Sequence, residues 1–150
     1  HEADYGVVIA YASMYGNTEK MAEIIARAIS EQGVKNIRIH DVSKTHVSDL
    51  LNDIWEYKGL ILGTCAYNGE MHPMMAHLAH EISISNPRNK TIALFGSSSW
   101  NGAGVRDLRK YLTEKKFDLI EKGIEISGVA KEEKMKSVTE FAREFVENLK

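Results

Sequence analysis

Ser13-Met14-Tyr15-Gly16-Asn17-Thr18 stands between a short apolar run and a stretch with helical spacing. The run before it, Tyr5–Tyr11, is rich in β-branched residues and predicts a buried strand. After it, apolar residues recur at helical spacing from Met21 to Ile29, and Gly33 ends the predicted helix. The quoted stretch is therefore the turn at the first strand-to-helix junction of the chain.

This turn has the composition of a phosphate-binding loop. It offers hydroxyls, an amide side chain and a glycine, and its backbone N–H groups point to one spot, where the helix dipole adds partial positive charge. Such a loop holds a phosphate dianion without lysine or arginine. The alternative is an ordinary helix start with Asn17 or Thr18 as the capping residue. The sequence favours phosphate, because a single capping residue is common and Ser-x-x-Gly-Asn-Thr at this junction is much rarer.

The alternation of strand and helix continues to the end of the chain. Further strands are predicted at Lys35–His40, Gly59–Gly63, Thr91–Phe95 and within Phe117–Ser127, and helices at Thr18–Gln32, Val47–Ile54, Pro73–Ser85, Gly104–Lys115 and Glu132–Leu149. This pattern predicts an α/β fold, a doubly wound three-layer sandwich with a five-stranded parallel sheet and helices on both faces. Periodicity leaves open the two common strand orders of such sheets.

Two more loops are expected beside the first one, because ligands of such folds sit beyond the carboxyl ends of the strands. Thr64–His72 follows the third strand, with Tyr67 as an aromatic face and Asn68-Gly69 as a turn that tolerates positive φ. The alternative is a plain surface turn with a half-buried tyrosine. Gly96–Gly104 follows the fourth strand and carries Trp100, which favours a planar ligand or a partner surface. The alternative there is a tryptophan packed over the base of its own loop.

Composition excludes several other classes of function. The net charge is only −2 over 150 residues, so we expect no nucleic-acid partner, and no apolar run approaches the roughly 20 residues of a membrane span. The single cysteine, Cys65, fits a reducing, cytoplasmic setting, and we interpret it as a small buried packing residue. His77 and His80 with Glu81 form at best a weak metal site, and exposed helix histidines are the default. We predict no metal site and no catalytic constellation.

The residues at the first junction carry a family resemblance. The run Ser13–Ala22 resembles the phosphate loop of the flavodoxin-like domain of flavodiiron proteins, also called A-type flavoproteins. Tyr15 stands where ordinary flavodoxins usually have a second Ser or Thr. The second and third loops are also similar to that family, although Thr64-Cys65-Ala66 replaces its frequent Ser-Pro-Thr. The resemblance covers nearly the whole chain and implies strand order 2-1-3-4-5, non-covalently bound FMN and electron transfer.

The resemblance also implies a set of site residues and partners. The FMN phosphate would be held by Ser13, Met14, Tyr15, Gly16, Asn17 and Thr18, and the ring framed by Thr64, Cys65, Ala66, Tyr67, Asn68, Gly69, Ser97, Ser98, Ser99, Trp100, Asn101, Gly102 and Gly104. Flavodiiron proteins carry an N-terminal di-iron domain that reduces O₂ or NO, so the expected partners are such a domain and a rubredoxin-like or reductase donor. Because the chain begins with His1 rather than methionine, we expect a trimmed or processed chain or a piece of a longer protein.

Other functions remain open or are rejected on the same residues. A stand-alone flavodoxin-type electron carrier and an NAD(P)H-dependent FMN reductase remain as alternatives. A signalling receiver module needs acidic residues at the ends of strands one and three, and Ala10–Ser13 and Leu62–Thr64 contain none. A dinucleotide-binding domain would require Gly-x-Gly-x-x-Gly after strand one, which is absent.

Overall fold

Five helices and seven strands make up the part of the chain that the structure describes. The computed structural model describes residues 3–14, 16–97, 103–120, 124–126 and 131–149. The strands are β1 (Asp4–Ala12), β2 (Ile37–Asp41), β3 (Tyr57–Thr64), β4 (Ala66–Tyr67), β5 (Glu70–Met71), β6 (Thr91–Ser97) and β7 (Ile124–Ile126). The helices are α1 (Asn17–Glu31), α2 (Val47–Glu56), α3 (Pro73–Ser85), α4 (Ala103–Glu114) and α5 (Lys131–Asn148).

The main sheet is parallel, with strand order β2-β1-β3-β6-β7. Numbered among themselves, its five strands have the order 2-1-3-4-5, which settles the choice that periodicity left open. Ile9 of β1 lies opposite Ile61 of β3, and Leu62 of β3 lies opposite Leu94 of β6. The predicted fold class and strand order are therefore confirmed, and the carboxyl ends of β1, β3 and β6 meet at one edge.

The core has two layers, one on each face of the sheet. Successive residues of a strand point to opposite faces, so β1 places Val7 and Ile9 in one layer and Val8 and Ala10 in the other. The first layer is closed by α1 and α5, and the second by α2, α3 and α4. Because both faces are covered, the central strands are apolar on both sides, which explains the short continuous apolar runs in the sequence.

One feature was not expected from the sequence, and the position of the fifth strand was. The second loop contains a small antiparallel hairpin, β4–β5, whose turn residues Asn68 and Gly69 have φ values of 50° and 78°. Two-residue hairpin turns favour positive φ at both positions, so the Asn-Gly pair explains the hairpin that we did not predict. The fifth sheet strand, Ile124–Ile126, lies in the later part of Phe117–Ser127, where it was predicted, and among the described residues Leu119 forms an isolated bridge with Ile92.

Candidate functional site

The first loop leads from the buried end of β1 into α1 through a left-handed residue. Gly16 is the N-cap of α1 with φ 83°, a conformation that favours glycine. Ser13 Oγ accepts a hydrogen bond from Gly16 N at 2.9 Å, which closes the turn. The first bond of the helix runs from Lys20 N to Gly16 O, so the amides of residues 17–19 lie ahead of it. The alternative of an ordinary cap by Asn17 or Thr18 is wrong, because a glycine without a side-chain acceptor occupies the N-cap.

A buried hydroxyl lies at the same helix start. Thr18 is 0 % exposed, and its Oγ1 has no hydrogen-bond partner among the described residues. Burying a hydroxyl without a partner costs free energy, so native proteins rarely leave one in that state. A phosphate at the N-terminus of α1 accepts hydrogen bonds from such donors. The residues present therefore fit a phosphate group at this position.

The second loop is held closed by Thr64 at the end of β3. Thr64 is fully buried; its Oγ1 donates to Cys65 O at 2.9 Å and accepts from His72 N at 3.0 Å. Cys65 N donates to Ala12 O at 3.2 Å, which ties this loop to the end of β1 beside the first loop. The hairpin therefore stands on a fixed base, and Tyr67 projects from it with 41 % of its surface exposed.

The base of the third loop packs directly on the second. Gly96 of β6 lies opposite Thr64, and a Cβ on Gly104 would stand 2.8 Å from Cys65 O. Asp107 of α4 accepts a hydrogen bond through Oδ2 from Met71 N at 3.1 Å. The structure therefore brings the first loop, the second loop and the start of α4 together at one edge of the sheet.

Several predicted site residues fall outside the described residues. They are Tyr15, Ser98, Ser99, Trp100, Asn101 and Gly102. The side chains of Asn17 and Ser97 are likewise not described. The stacking expected of Trp100 and the alternative of self-packing both stay predictions.

Cys65, which we interpreted as a small buried packing residue, is only partly buried. Burial raises the pKa of its thiol, and nearby backbone N–H groups at Met14 and Cys65 oppose that rise. A raised pKa keeps the thiol protonated at neutral pH, and a protonated thiol is a poor nucleophile. The residue is thus an uncharged neighbour of the first loop.

The opposite edge of the sheet holds a cavity of about 750 Å³, lined by side chains that include Trp55, Lys58, Lys90 and Asp118. Ligands of this fold class bind at the carboxyl edge, so the loops described above, and not this cavity, are the candidate functional site. Within the described ranges, no group of three or more His, Cys, Asp or Glu side chains could hold a metal ion. No described helix combines the length and apolar character needed to cross a membrane.

Sequence similarity agrees with this geometry. The family model for flavodoxin matches residues 9–141. The chain belongs to the flavodoxin family. FMN is the cofactor of flavodoxins and of the flavin domains of flavodiiron proteins. The site residues that the resemblance implied stay a prediction for this flavodoxin-family chain.

Named relatives point to the flavodiiron branch. The chain is 32% identical over 121 residues to the anaerobic nitric oxide reductase flavorubredoxin of Escherichia coli O1:K1 / APEC, a match that covers 78% of this chain. The match covers 25% of that relative, so the chain spans about a quarter of the length of the curated relatives it matches. The predicted resemblance to the flavin domain of flavodiiron proteins is therefore confirmed.

Solved structures of both branches share the fold. Rubredoxin oxygen:oxidoreductase from the anaerobe Desulfovibrio gigas superposes with a TM-score of 0.87 at 26% identity, over 99% of this chain and 38% of that one. Oxidised flavodoxin 1 from Bacillus cereus superposes with a TM-score of 0.80 at 27% identity, over 97% of this chain and 99% of that one. The same architecture thus occurs both as a part of longer proteins and as a short chain.

Two residues that organise the site were not found from the sequence. Asp107 and His72 both bind the backbone of the second loop or of the helix after it. His72 stands directly before Pro73, and proline at the first helical position marks the preceding residue as the N-cap. That signal could have identified His72. The hydrogen bond between Asp107 and Met71 joins residues 36 positions apart, so no local sequence pattern predicts it.

Proposed function

We propose that this chain binds FMN at the carboxyl edge of its sheet and works as an electron-transfer domain. The observation that carries the proposal is the start of α1, where Thr18 Oγ1 has no partner in the described part of the chain and Gly16 offers no cap. A phosphate accepts from both the hydroxyl and the uncapped amides, and such charge-assisted bonds are strong. Bound FMN supplies one-electron transfer chemistry, which the protein tunes by binding and orienting the group.

The other two loops are proposed to frame the ring. Tyr67, exposed on its hairpin, offers an aromatic face to a planar ligand. The Asn68–Gly69 turn presents backbone amides at the tip of the same hairpin. We retain Thr64–Gly69 and Ser97–Gly104 as the candidate ring contacts, with Gly104 also serving the packing of α4 on the second loop.

We further propose a di-iron domain that reduces O₂ or NO as the electron acceptor, with a rubredoxin-like protein or a reductase as the donor. Support comes from the curated relatives, which are named as nitric oxide reductase flavorubredoxins and are about four times as long as the matched region. The free, partly buried Cys65 fits the reducing cytoplasm that we propose as the location.

A stand-alone electron carrier is the second candidate. The match to Bacillus cereus flavodoxin 1 favours it, because that match covers 99% of the flavodoxin. An NAD(P)H-dependent FMN reductase is the third alternative. A kinetic test distinguishes it from the flavodiiron-type domain and from the stand-alone carrier. It requires NAD(P)H oxidation by the chain alone, whereas a carrier consumes almost none.

Cofactor binding is tested by adding FMN or riboflavin to the chain freed of flavin. We expect flavin absorbance bands, release of FMN on denaturation, and binding of riboflavin at least about tenfold weaker because it lacks the phosphate. A colourless protein that does not bind added FMN would overturn the proposal. Equal affinity for riboflavin would contradict the phosphate site in particular.

The acceptor is tested by stopped-flow mixing of the reduced, FMN-loaded chain with the di-iron domain of a flavodiiron protein. We expect oxidation of the chain to be faster with that domain than with O₂ alone. Equal rates would favour the stand-alone carrier. Sustained NAD(P)H consumption by the chain alone would favour the reductase instead.

A further inference from the structure

Two neighbouring helices of this chain begin with a histidine cap. His46 Nδ1 accepts a hydrogen bond from Ser48 N at 3.2 Å at the start of α2, and His72 Nδ1 accepts from Met74 N at 3.0 Å at the start of α3. A ring nitrogen that accepts an N–H bond carries no proton, so the neutral His72 ring has its proton on Nε2. An imidazolium donates from both nitrogens and cannot form this cap.

Only one of the two caps belongs to a flavin loop. The backbone N of His72 donates to the buried Thr64 Oγ1 at 3.0 Å, which closes the base of the β4–β5 hairpin. Its ring meets the Tyr67 ring edge-on, with centroids 6.0 Å apart and planes at 61°. His72 therefore joins the end of β3, the hairpin and the first turn of α3. His46, in contrast, lies in the β2–α2 connection, and its side-chain hydrogen bonds go to Ser48 of the same turn.

The surroundings of His72 oppose a positive charge on its ring. Burial lowers the pKa of His72 from its usual 6.5, and the carboxylate of Asp41 at the end of β2 partly opposes that shift. The N-terminal dipole of α3 also disfavours an imidazolium at this position. Among the described residues, the hydrogen-bond and ring contacts of His72 are with uncharged groups: Thr64 of β3, Tyr67 of β4 and the Met74 amide of α3. The neutral ring is thus the form that this environment holds.

We propose that His72 is a positioning residue for the flavin site: its neutral ring holds Tyr67 and caps α3, and proton uptake at Nδ1 releases both. The inference rests on the proposed FMN function, because it assigns Tyr67 to the ring-binding hairpin. Because the pKa of His72 is lowered in the folded chain, acidification weakens the folded state at this residue. The neutral, holding form is complete above pH 6.5, and its contribution is lost as the pH falls from 6.5 through the lower pKa of the folded state.

The decisive experiment compares His72→Asn with His46→Asn, using the FMN dissociation constant between about pH 5 and pH 8. Asparagine is a good N-cap, so each variant keeps its helix cap while the titrating ring is removed. The phosphate of FMN itself titrates near pH 6, which affects every variant equally. The comparison between the two variants therefore isolates the histidine.

We expect His46→Asn to lose FMN affinity on acidification as steeply as the wild type does. His72→Asn should lose roughly fivefold less over the same range, the factor expected from one helix cap. It should also bind FMN more weakly at pH 8, because Tyr67 has lost its neighbour. Equal pH profiles for the two variants would overturn the proposal.

A second measurement works without FMN and separates this inference from the proposed function. In the flavin-free wild-type chain, we expect the NMR signals of the Tyr67 ring and the Met74 amide to shift with the same midpoint as the His72 ring. If FMN fails to bind, the proposed function fails and this titration still decides the coupling. If the Tyr67 and Met74 signals do not change as His72 titrates, the positioning role is overturned. Because this measurement uses the wild-type chain, it decides the question even when His72→Asn does not fold.

Discussion

Gly63 of β3 lies opposite Phe95 of β6, and the phenyl ring occupies the space where a Cβ of residue 63 would stand. Phe95 is among the largest fully buried side chains, and it lies in the core layer beneath α1 and α5. The missing side chain of Gly63 leaves room for this ring. The two residues thus share one space in the core at the ends of the two strands that carry the second and third loops.

Gly63→Ala is expected to destabilise the chain by about 1–3 kcal/mol, because the added methyl overfills a packed core. Urea unfolding measures this loss. The double variant Gly63→Ala/Phe95→Leu should cost less than the sum of its single changes, since leucine vacates the contested space. A Gly63→Ala chain as stable as the wild type would show that the ring is not held in place.

Thr18→Val is expected to weaken FMN binding by about tenfold, the effect of losing one hydrogen bond to a charged group. The flavin-free variant should be as stable as the wild type or more so, because the buried hydroxyl of Thr18 has no described partner. Fluorescence titration with FMN measures the affinity, and Thr18→Ser, which keeps the hydroxyl, is the matched control. Unchanged FMN affinity in Thr18→Val would place the phosphate elsewhere.

Asp107→Ala is expected to loosen the hairpin, because the amide of the buried Met71 loses its acceptor. An unsatisfied buried amide costs about 1–3 kcal/mol, which denaturant unfolding detects, and the Met71 amide should exchange faster with solvent. Asp107→Asn keeps an acceptor oxygen in the same place and should retain most of the stability. Slow exchange of Met71 in the alanine variant would mean that another group accepts the bond.

Tyr11 is expected to ionise well above the usual pKa of a tyrosine. Burial, followed by the carboxylates of Asp41 and Glu19, raises its pKa to about 12 from the model-peptide value of 10.0. The contribution of the neutral Tyr11 hydroxyl to the stability of the fold is complete below pH 10.0 and is lost as the pH rises through about 12. The difference in tyrosinate absorbance between wild type and Tyr11→Phe isolates this group. A Tyr11 signal centred at pH 10.0 would show that the hydroxyl is open to water.

Local sequence patterns determined the elements of this protein and the edge at which its proposed site lies. The β–α alternation placed all five helices to within a residue or two, and parallel strands necessarily bring their carboxyl ends to one edge. Asn68-Gly69 marked a turn with positive φ, and Pro73 marked the start of α3. These signals are local, because each depends on the conformational preference of one or two residues.

The tertiary structure alone decided which groups meet at that edge. Met71 with Asp107 and Gly63 with Phe95 join residues more than thirty positions apart, so no short-range pattern records either pair. With Gly16 as the N-cap, Thr18 Oγ1 has no described partner, and this is the position of the proposed phosphate site. Sequence supplied the donors and the fold class; the packing of β3, β6 and α4 decided which donors stay free for a ligand, because hydrogen bonds are satisfied only between groups that the folded chain brings together.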